Sequence, residues 1–304
     1  MIVGRAAGLT DTGRRRSQNE DAFVCDPPLF AIADGMGGAQ AGELASRLAA
    51  TAIEEAGAAV ADGEGVVGAV RAANARIFER SLTDPAVAGM GTTATVALVD
   101  EQSGTMTLAH VGDSRAYRYR DGELEQLTTD HSLVAELVRT GRLTEAEAAV
   151  HPHRSVITRA LGTEADVEVD TRTLDLAAAD VVLLCSDGLS AMVRDDEIVR
   201  LLEATGAAPR EAAEALVSAA NAAGGEDNVT VVLFELVDAD VEAPPTLVPG
   251  MDVDDEDGAD GPDGPTLEDV RRHGAGKGSR WPALLFLLAI LAAGAVALWW
   301  SVVR

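Results

Sequence analysis

One pattern recurs along this chain and limits what it can become. An apolar run long enough for a single strand ends on an aspartate set among small residues. "LFAIADGMGG" takes Leu29 to Ala33 onto Asp34, followed by a loop of Gly35, Met36, Gly37 and Gly38. "LAHVGDSRAY" takes Leu108 to Val111 onto Asp113, and "DVVLLCSDGLS" takes Val181 to Cys185 onto Asp187. Asp227, in "GGEDNVTVVLFEL", stands just before the run Val229 to Leu236. A short continuous apolar run reads as a strand buried on both faces. One Asp-Gly pair is an ordinary turn. Four carboxylates at strand ends point to a common rim, where they repel one another and hold their protons unless a cation stands among them.

The donor chemistry narrows the cation. Carboxylates, carbonyls and water suit hard ions such as Mg²⁺ and Mn²⁺. Zinc sites draw on Cys and His, but Cys25 and Cys185 are the only cysteines and neither C-x-x-C nor H-E-x-x-H spacing occurs. No EF-hand loop can be read. Two oxygen-bound metals ~3.5–4 Å apart clamp the in-line displacement of a phosphoryl group. That chemistry also needs a fixed guanidinium, and "GRRRSQNEDAF" offers one. A tyrosine-phosphatase thiol is excluded, because Ala31 and Ala191 occupy the arginine positions of C-x5-R after Cys25 and Cys185.

Six short motifs then follow in order: "RSQNED" (Arg16 to Asp21), "ADGMGG" (Ala33 to Gly38), "GTTAT" (Gly91 to Thr95), "HVGDSR" (His110 to Arg115), "CSDGL" (Cys185 to Leu189) and "EDNVT" (Glu226 to Thr230). Each is weak alone. Together, from about Gly4 to Leu236, they resemble the metal-dependent protein phosphatases, the type 2C Ser/Thr phosphatases, in their bacterial branch. The resemblance implies a four-layer α-β-β-α sandwich of two antiparallel sheets flanked by helices.

The resemblance also implies roles. Asp34 would bridge two metals, Mn²⁺ or Mg²⁺, and the Gly35 carbonyl would bind one of them. Asp187 and Asp227 would hold the other, with Glu20 and Asp21 acting through coordinated waters. A third metal would fall to Asp113 with Asp187. Arg16 would grip the substrate phosphate, whose oxygens match its planar fork. Asn228 would orient its neighbour, and Ser155 matches a flap serine near the third metal. A metal-bridging hydroxide would attack phosphoserine or phosphothreonine directly. Animal relatives place a His two residues after the bridging Asp; here that position is Met36. His151 and His153 are alternative proton donors that read better as structural or substrate-contact residues.

Composition fits an intracellular enzyme with a membrane tail. The formal net charge of −26 argues against nucleic-acid binding. Two cysteines inside apolar runs read as reduced buried thiols. Strands are expected at Ile2 to Leu9, Ala22 to Cys25, Leu29 to Ala33, Thr92 to Val99, Met106 to Val111, Ala116 to Arg120, Asp180 to Cys185 and Val229 to Leu236. Helices are expected at Gly42 to Glu55, Gly65 to Ser81, Asp196 to Ala204 and Pro209 to Ala223. Ser103-Gly104 reads as a hairpin turn. Residues 129–159 form an insertion with two short helices, the first capped by Asp130 and ended by Gly141, the second opened by a Thr144/Glu147 capping box. In the family this is a flap beside the metals.

The catalytic domain is expected over 1–237, in monomeric form. An acidic, disordered linker covers 238–280, with "DVDDEDGADGPDGP" at its centre. "WPALLFLLAILAAGAVALWWSVV", 281–303, carries no charge and spans ~35 Å at helical rise, enough for a ~30 Å hydrocarbon core. Arg271, Arg272, Lys277 and Arg280 precede it and Arg304 follows, which orients the domain to the cytoplasm. No signal peptide is visible in "MIVGRAAGLTDTGRRR". The sequence therefore reads as a membrane-tethered Ser/Thr protein phosphatase, partnered with phosphorylated proteins and with membrane Ser/Thr kinases. Two alternatives stand beside it: a phosphatase of an anti-sigma-type regulator, and an inactive phosphoprotein-binding module.

Overall fold

The computed structural model describes residues 1–37, 39–57 and 63–238. Strands β1 (Ile2–Asp11), β2 (Asp21–Asp26) and β3 (Leu29–Met36) lead into helices α1 (Ala39–Gly57) and α2 (Gly63–Thr83). Then come β4 (Gly91–Thr92), β5 (Ala94–Asp100), β6 (Thr105–Val111), β7 (Arg115–Arg120) and β8 (Glu123–Gln126). The insertion carries α3 (Leu133–Arg139) and α4 (Glu145–Ala149). The chain continues through β9 (Asp170–Asp175), β10 (Val181–Cys185), α5 (Asp187–Ser190), α6 (Asp195–Ala204), α7 (Pro209–Ala223) and β11 (Val229–Val237).

These strands make two antiparallel sheets, ordered β1-β11-β10-β7-β8 and β2-β3-β5-β6-β9, with β4 pairing the end of β3. The apolar runs are continuous because each sheet is covered on both faces. Along β3, Phe30 and Ile32 enter the core between the sheets, while Ala31 and Ala33 face α1 and α2. Along β11, Val232, Phe234 and Leu236 enter the same inter-sheet core, while Val229, Val231 and Leu233 pack with α6 and α7. The strand period of two thus divides each run between two cores. Phe30 and Phe234 stack across the seam with ring centroids 3.9 Å apart. Small alanines on α1 (Ala45, Ala49 and Ala52) are fully or nearly fully buried against the sheet, letting the helix approach closely. Three apolar clusters separate helices, sheet, sheet and helices, which is the four-layer α+β order expected from the sequence.

Several local expectations need correction. The glycines after Asp34 do not begin a loop at once: β3 runs on to Met36, because β4 pairs Thr92 with Gly35 and Gly91 with Met36. The first insertion helix is capped by Ser132, not Asp130, and Ser132 Oγ accepts from the Ala135 N–H at 3.3 Å. Asp130 is instead held by Arg115. Gly141, at φ +69°, does end that helix, and the Thr144/Glu147 capping box is formed. The turn through Gly104 joins β5 and β6 as a hairpin. Strands β8 and β9 had no sequence counterpart. Among the described residues no helix is long and apolar enough to cross a membrane; residues 239–280 of the expected linker and the apolar stretch 281–303 lie outside them.

Candidate metal centre

The site forms where strand ends from both sheets meet. Asp21 and Asp34 are directly opposite each other on β2 and β3, a placement that costs stability when both are charged. Asp34 is fixed through its backbone by the "GTTAT" segment. Its N–H donates to Thr93 Oγ1 at 2.9 Å, and its carbonyl accepts from Thr92 Oγ1 at 2.8 Å and from the Thr93 N–H at 2.9 Å. Asp113 sits in the turn between β6 and β7, which carries the chain from one sheet to the other. Asp187 opens α5 directly after β10, and Asp227 precedes β11.

These carboxylates crowd one another. Burial, with Asp21, Asp187, Asp113 and Asp227 around it, holds the Asp34 carboxyl well above the usual range. Burial pushes Asp21 up to about 7, against hydrogen bonds from Thr230 and Ser186. Asp113 is pushed to about 7 by burial and by Asp187. Asp187 is pushed to about 6 by burial and Asp227, and a hydrogen bond with Asp34 moderates the rise. Two carboxyls share a hydrogen bond only if one keeps its proton. Asp21 Oδ1 and Asp113 Oδ1 are buried without a hydrogen-bond partner. Unpartnered buried carboxylate oxygens of this kind call for an explanation, and a missing ion is one.

Close backbone approach explains the glycines. A Cβ on Gly35 would lie 2.1 Å from the Gly42 carbonyl oxygen, and one on Gly42 would lie 2.2 Å from Glu20 Oε2. Glu20 is buried, and burial raises its pKa while Arg16 opposes the rise. A Cβ on Gly188 would lie 2.0 Å from the Asn228 carbonyl oxygen. The all-oxygen donor set and the orphaned oxygens therefore fit a hard cation. Among the described residues no three His, Cys, Asp or Glu side chains are already drawn up as a ligand set; the carboxylates interact across the site as neighbours.

Arg16 projects from the segment before β2, and its Nη2 donates to Asp227 Oδ2 at 2.8 Å. Asn228 holds that segment in place. Its Oδ1 accepts from the Glu20 N–H at 2.8 Å, and its Nδ2 donates to the Thr12 and Gln18 carbonyls, both at 2.9 Å. The side chain therefore positions the Arg16 segment more than the Asp227 carboxylate. Ser155 lines a cleft of about 650 Å³ between the insertion and the sheet, together with Asp113 and Asp187. Among the described residues no histidine lines that cleft. His151 and His153 pack on each other with ring centroids 5.6 Å apart.

Sequence reasoning passed over several supports. Arg115 binds Asp130 through Nε and Nη2, with Nη2 to Oδ2 at 2.7 Å, tying the Asp113 turn to the base of the insertion. The Gly112 N–H donates to His131 Nδ1 at 3.0 Å. His131 packs against His110, with ring centroids 4.8 Å apart. "HVGDSR" and "DHS" were legible as strings, but their pairing depends on the tertiary fold. Both cysteines are inert: burial pushes Cys25 up to about 11 and Cys185 up to about 12.

A two-sheet sandwich with clustered carboxylates at one rim and an arginine on its edge has the groups that a metal-assisted phosphoryl-transfer centre requires. The chain matches the family profile described as Protein phosphatase 2C over residues 14–229, and it belongs to that family. It is 41% identical over 259 residues to the serine/threonine protein phosphatase PstP of Mycobacterium tuberculosis, covering 84% of this chain and 49% of that protein. The match thus spans about half of that relative's length. It is 38% identical over 238 residues to the serine/threonine phosphatase stp of Listeria monocytogenes, covering 74% of this chain and 93% of that one. A crystal structure of the PstP catalytic domain in complex with two manganese ions superposes with a TM-score of 0.72 at 40% identity, covering 78% of this chain and all of that one.

Proposed function

We propose that this chain hydrolyses phosphoserine and phosphothreonine in proteins, using Mn²⁺ or Mg²⁺. The observation that carries the reading is the convergence of Asp21, Asp34, Asp113, Asp187 and Asp227 with Arg16 at one rim. Asp34, the Gly35 carbonyl, Asp187 and Asp227 would hold the core ions, with Glu20 and Asp21 close by and Asp113 beside Asp187 for a further one. Bound there, the metals neutralise charge on the phosphoryl oxygens and lower the pKa of water. Thr92 and Thr93 keep Asp34 from turning away. Arg16 already presents its fork to a carboxylate oxygen, and a phosphate oxygen offers the same acceptor. The cleft beside Asp113 and Asp187 leaves room for a polypeptide flanking the phosphorylated residue. Met36 has no proton to give and among the described residues no histidine lines the cleft, so the proton for the leaving oxygen would come from water or from another group at the rim.

The test is phosphate release from phosphoserine and phosphothreonine peptides after chelation and again after adding Mn²⁺. Hydrolysis that vanishes with chelation and returns with Mn²⁺ supports the reading. An intact fold with no hydrolysis under either condition overturns it and favours a phosphoprotein-binding module. For the whole chain we propose a membrane tether through 281–303 with the domain on the cytoplasmic side, where membrane Ser/Thr kinases would be its counterparts. The uncharged stretch and the arginines and lysine before it support this. Fractionation of cells expressing the chain with and without 281–304 tests it; a full-length chain recovered outside the membrane fraction removes the tether.

A further inference from the structure

The arginines divide into two groups. The structure is strongly acidic, and most of its arginines are taken up in ion pairs with Asp or Glu. Among the described residues only Arg14, Arg15, Arg71, Arg139 and Arg142 have no acidic partner. Two of these stand in the turn that carries Arg16.

That turn is rigidly built. The Arg14 and Arg15 N–H groups both donate to the Gly225 carbonyl, at 2.8 and 3.2 Å. Gly13 has φ +79°, and a Cβ there would lie 2.1 Å from the Asp227 carbonyl oxygen, so no other residue lets the turn lie this close to the Asp227 loop. The acids nearby are committed elsewhere. Asp11 Oδ1 accepts from the Gly13 N–H at 2.8 Å and from Asn221 Nδ2 at 3.1 Å. Asp227 holds Arg16. Glu226 faces Arg154 of the insertion at 3.6 Å. Arg14 and Arg15 are exposed, and among the described residues no carboxylate pairs with them. Two unneutralised guanidinium groups therefore stand on a fixed backbone, one and two residues from the arginine that faces the site.

We propose that Arg14 and Arg15 form a second anion subsite, which selects phosphoproteins carrying another acidic group close to the phosphorylated Ser or Thr. The inference rests on the phosphatase reading and names part of its substrate class. The shared chemistry is an anion with two or three oxygens facing a guanidinium fork. It can be supplied by a flanking Asp or Glu or by a second phosphate. A doubly charged phosphate gives the stronger preference. The pairs are exposed, so the selection is modest and weakens with salt.

The experiment uses the full-length protein loaded with Mn²⁺ and three phosphothreonine peptides: one flanked by Ala and Gln, one by Asp and Glu, and one by a second phosphothreonine. The readout is the ratio of kcat/KM on each anionic peptide to that on the neutral one. For two exposed charge pairs the ratio should lie between about 2 and 30, fall as salt is raised, and approach unity in Arg14→Ala/Arg15→Ala. Arg14→Glu/Arg15→Glu should turn the preference toward a Lys-flanked peptide. Circular dichroism establishes that both variants are folded. Preference for the doubly phosphorylated peptide alone assigns the subsite to phosphate; preference for both assigns it to anions in general. A wild-type ratio near unity, or a ratio that survives both double variants, overturns the proposal. If no peptide is hydrolysed, the phosphatase reading falls, and the same peptides measured by fluorescence anisotropy decide the subsite: equal affinities for neutral and anionic peptides overturn it.

Discussion

Replacing Asn228 tests how the site is held together. The side chain is buried and makes three hydrogen bonds, accepting from the Glu20 N–H and donating to the Thr12 and Gln18 carbonyls. Asn228→Ala removes all three. The Glu20 N–H is then left in a buried place without an acceptor, which costs about 1–3 kcal/mol. The two carbonyls recover some water, and their lost bonds add about 0.5–1 kcal/mol each. The expected destabilisation is about 2–5 kcal/mol, a large share of the ~5–15 kcal/mol typical of a domain. Asn228→Asp separates the contributions: it keeps the acceptor for Glu20 but turns an oxygen toward two carbonyl oxygens. At neutral pH it should destabilise at least as much as alanine, and acidification should partly relieve it. Urea unfolding of the chelated protein, with an unchanged m-value, gives both numbers. The Arg16 segment should also loosen, raising KM for phosphopeptide more than it lowers kcat. A loss under ~0.5 kcal/mol for Asn228→Ala, or identical behaviour of the two variants, would refute the argument.

Other substitutions have equally definite expectations. Asp34→Asn should lower turnover at least ~10²-fold, yet raise the melting temperature of the chelated protein by about 2–4 °C, because the amide keeps a neutral shape without holding a proton on a buried carboxyl; a lower melting temperature would contradict the crowding described above. Arg16→Ala should act mainly on KM, since it grips phosphate in the ground and transition states alike; a fall in kcat with KM untouched would argue against that role. His110 is buried between the Thr95 hydroxyl and the Thr129 carbonyl, and burial followed by the proximity of His131 lowers its pKa to about 4. The unfolded chain therefore takes up this proton first. The stability His110 contributes is present above ~6.5 and is lost as pH falls toward 4, by up to about 3 kcal/mol. Ring resonances that titrate near 6.5 in the folded protein would overturn this expectation.

The parts of the fold that were legible in the sequence are those driven by burial on both faces. Leu29 to Ala33, Val181 to Cys185 and Val229 to Leu236 read as strands because neither side of them meets water. β9 was not legible for the opposite reason: of its residues only Leu174 is buried, and pairing with β6 alone makes it a strand. The extension of β3 through Gly35 and Met36 was hidden too, since it depends on two residues of β4 remote in sequence. Asp130 has the chemistry of a helix cap, but the guanidinium of Arg115 outcompetes the helix for it. In the site, the acids could be picked out by their place at strand ends. The hydroxyls of Thr92 and Thr93 and the three-way grip of Asn228 could not, because each joins segments that only the folded sheets bring together.

The first and last strands lie side by side, with β1 paired to β11 along most of its length, and Asp227 immediately precedes that last strand. During synthesis, Arg16, Glu20, Asp21 and Asp34 leave the ribosome early and wait for a partner that is translated near the end of the domain. Long-range pairing of this kind is slow to form. Until β11 slots between β1 and β10 the first sheet lacks the strand that joins β1 to the rest, and Asp227 and Asn228 have no place beside Arg16. A nascent chain therefore cannot hold Arg16, Asp34 and Asp227 together until the strand that follows Asp227 has been made.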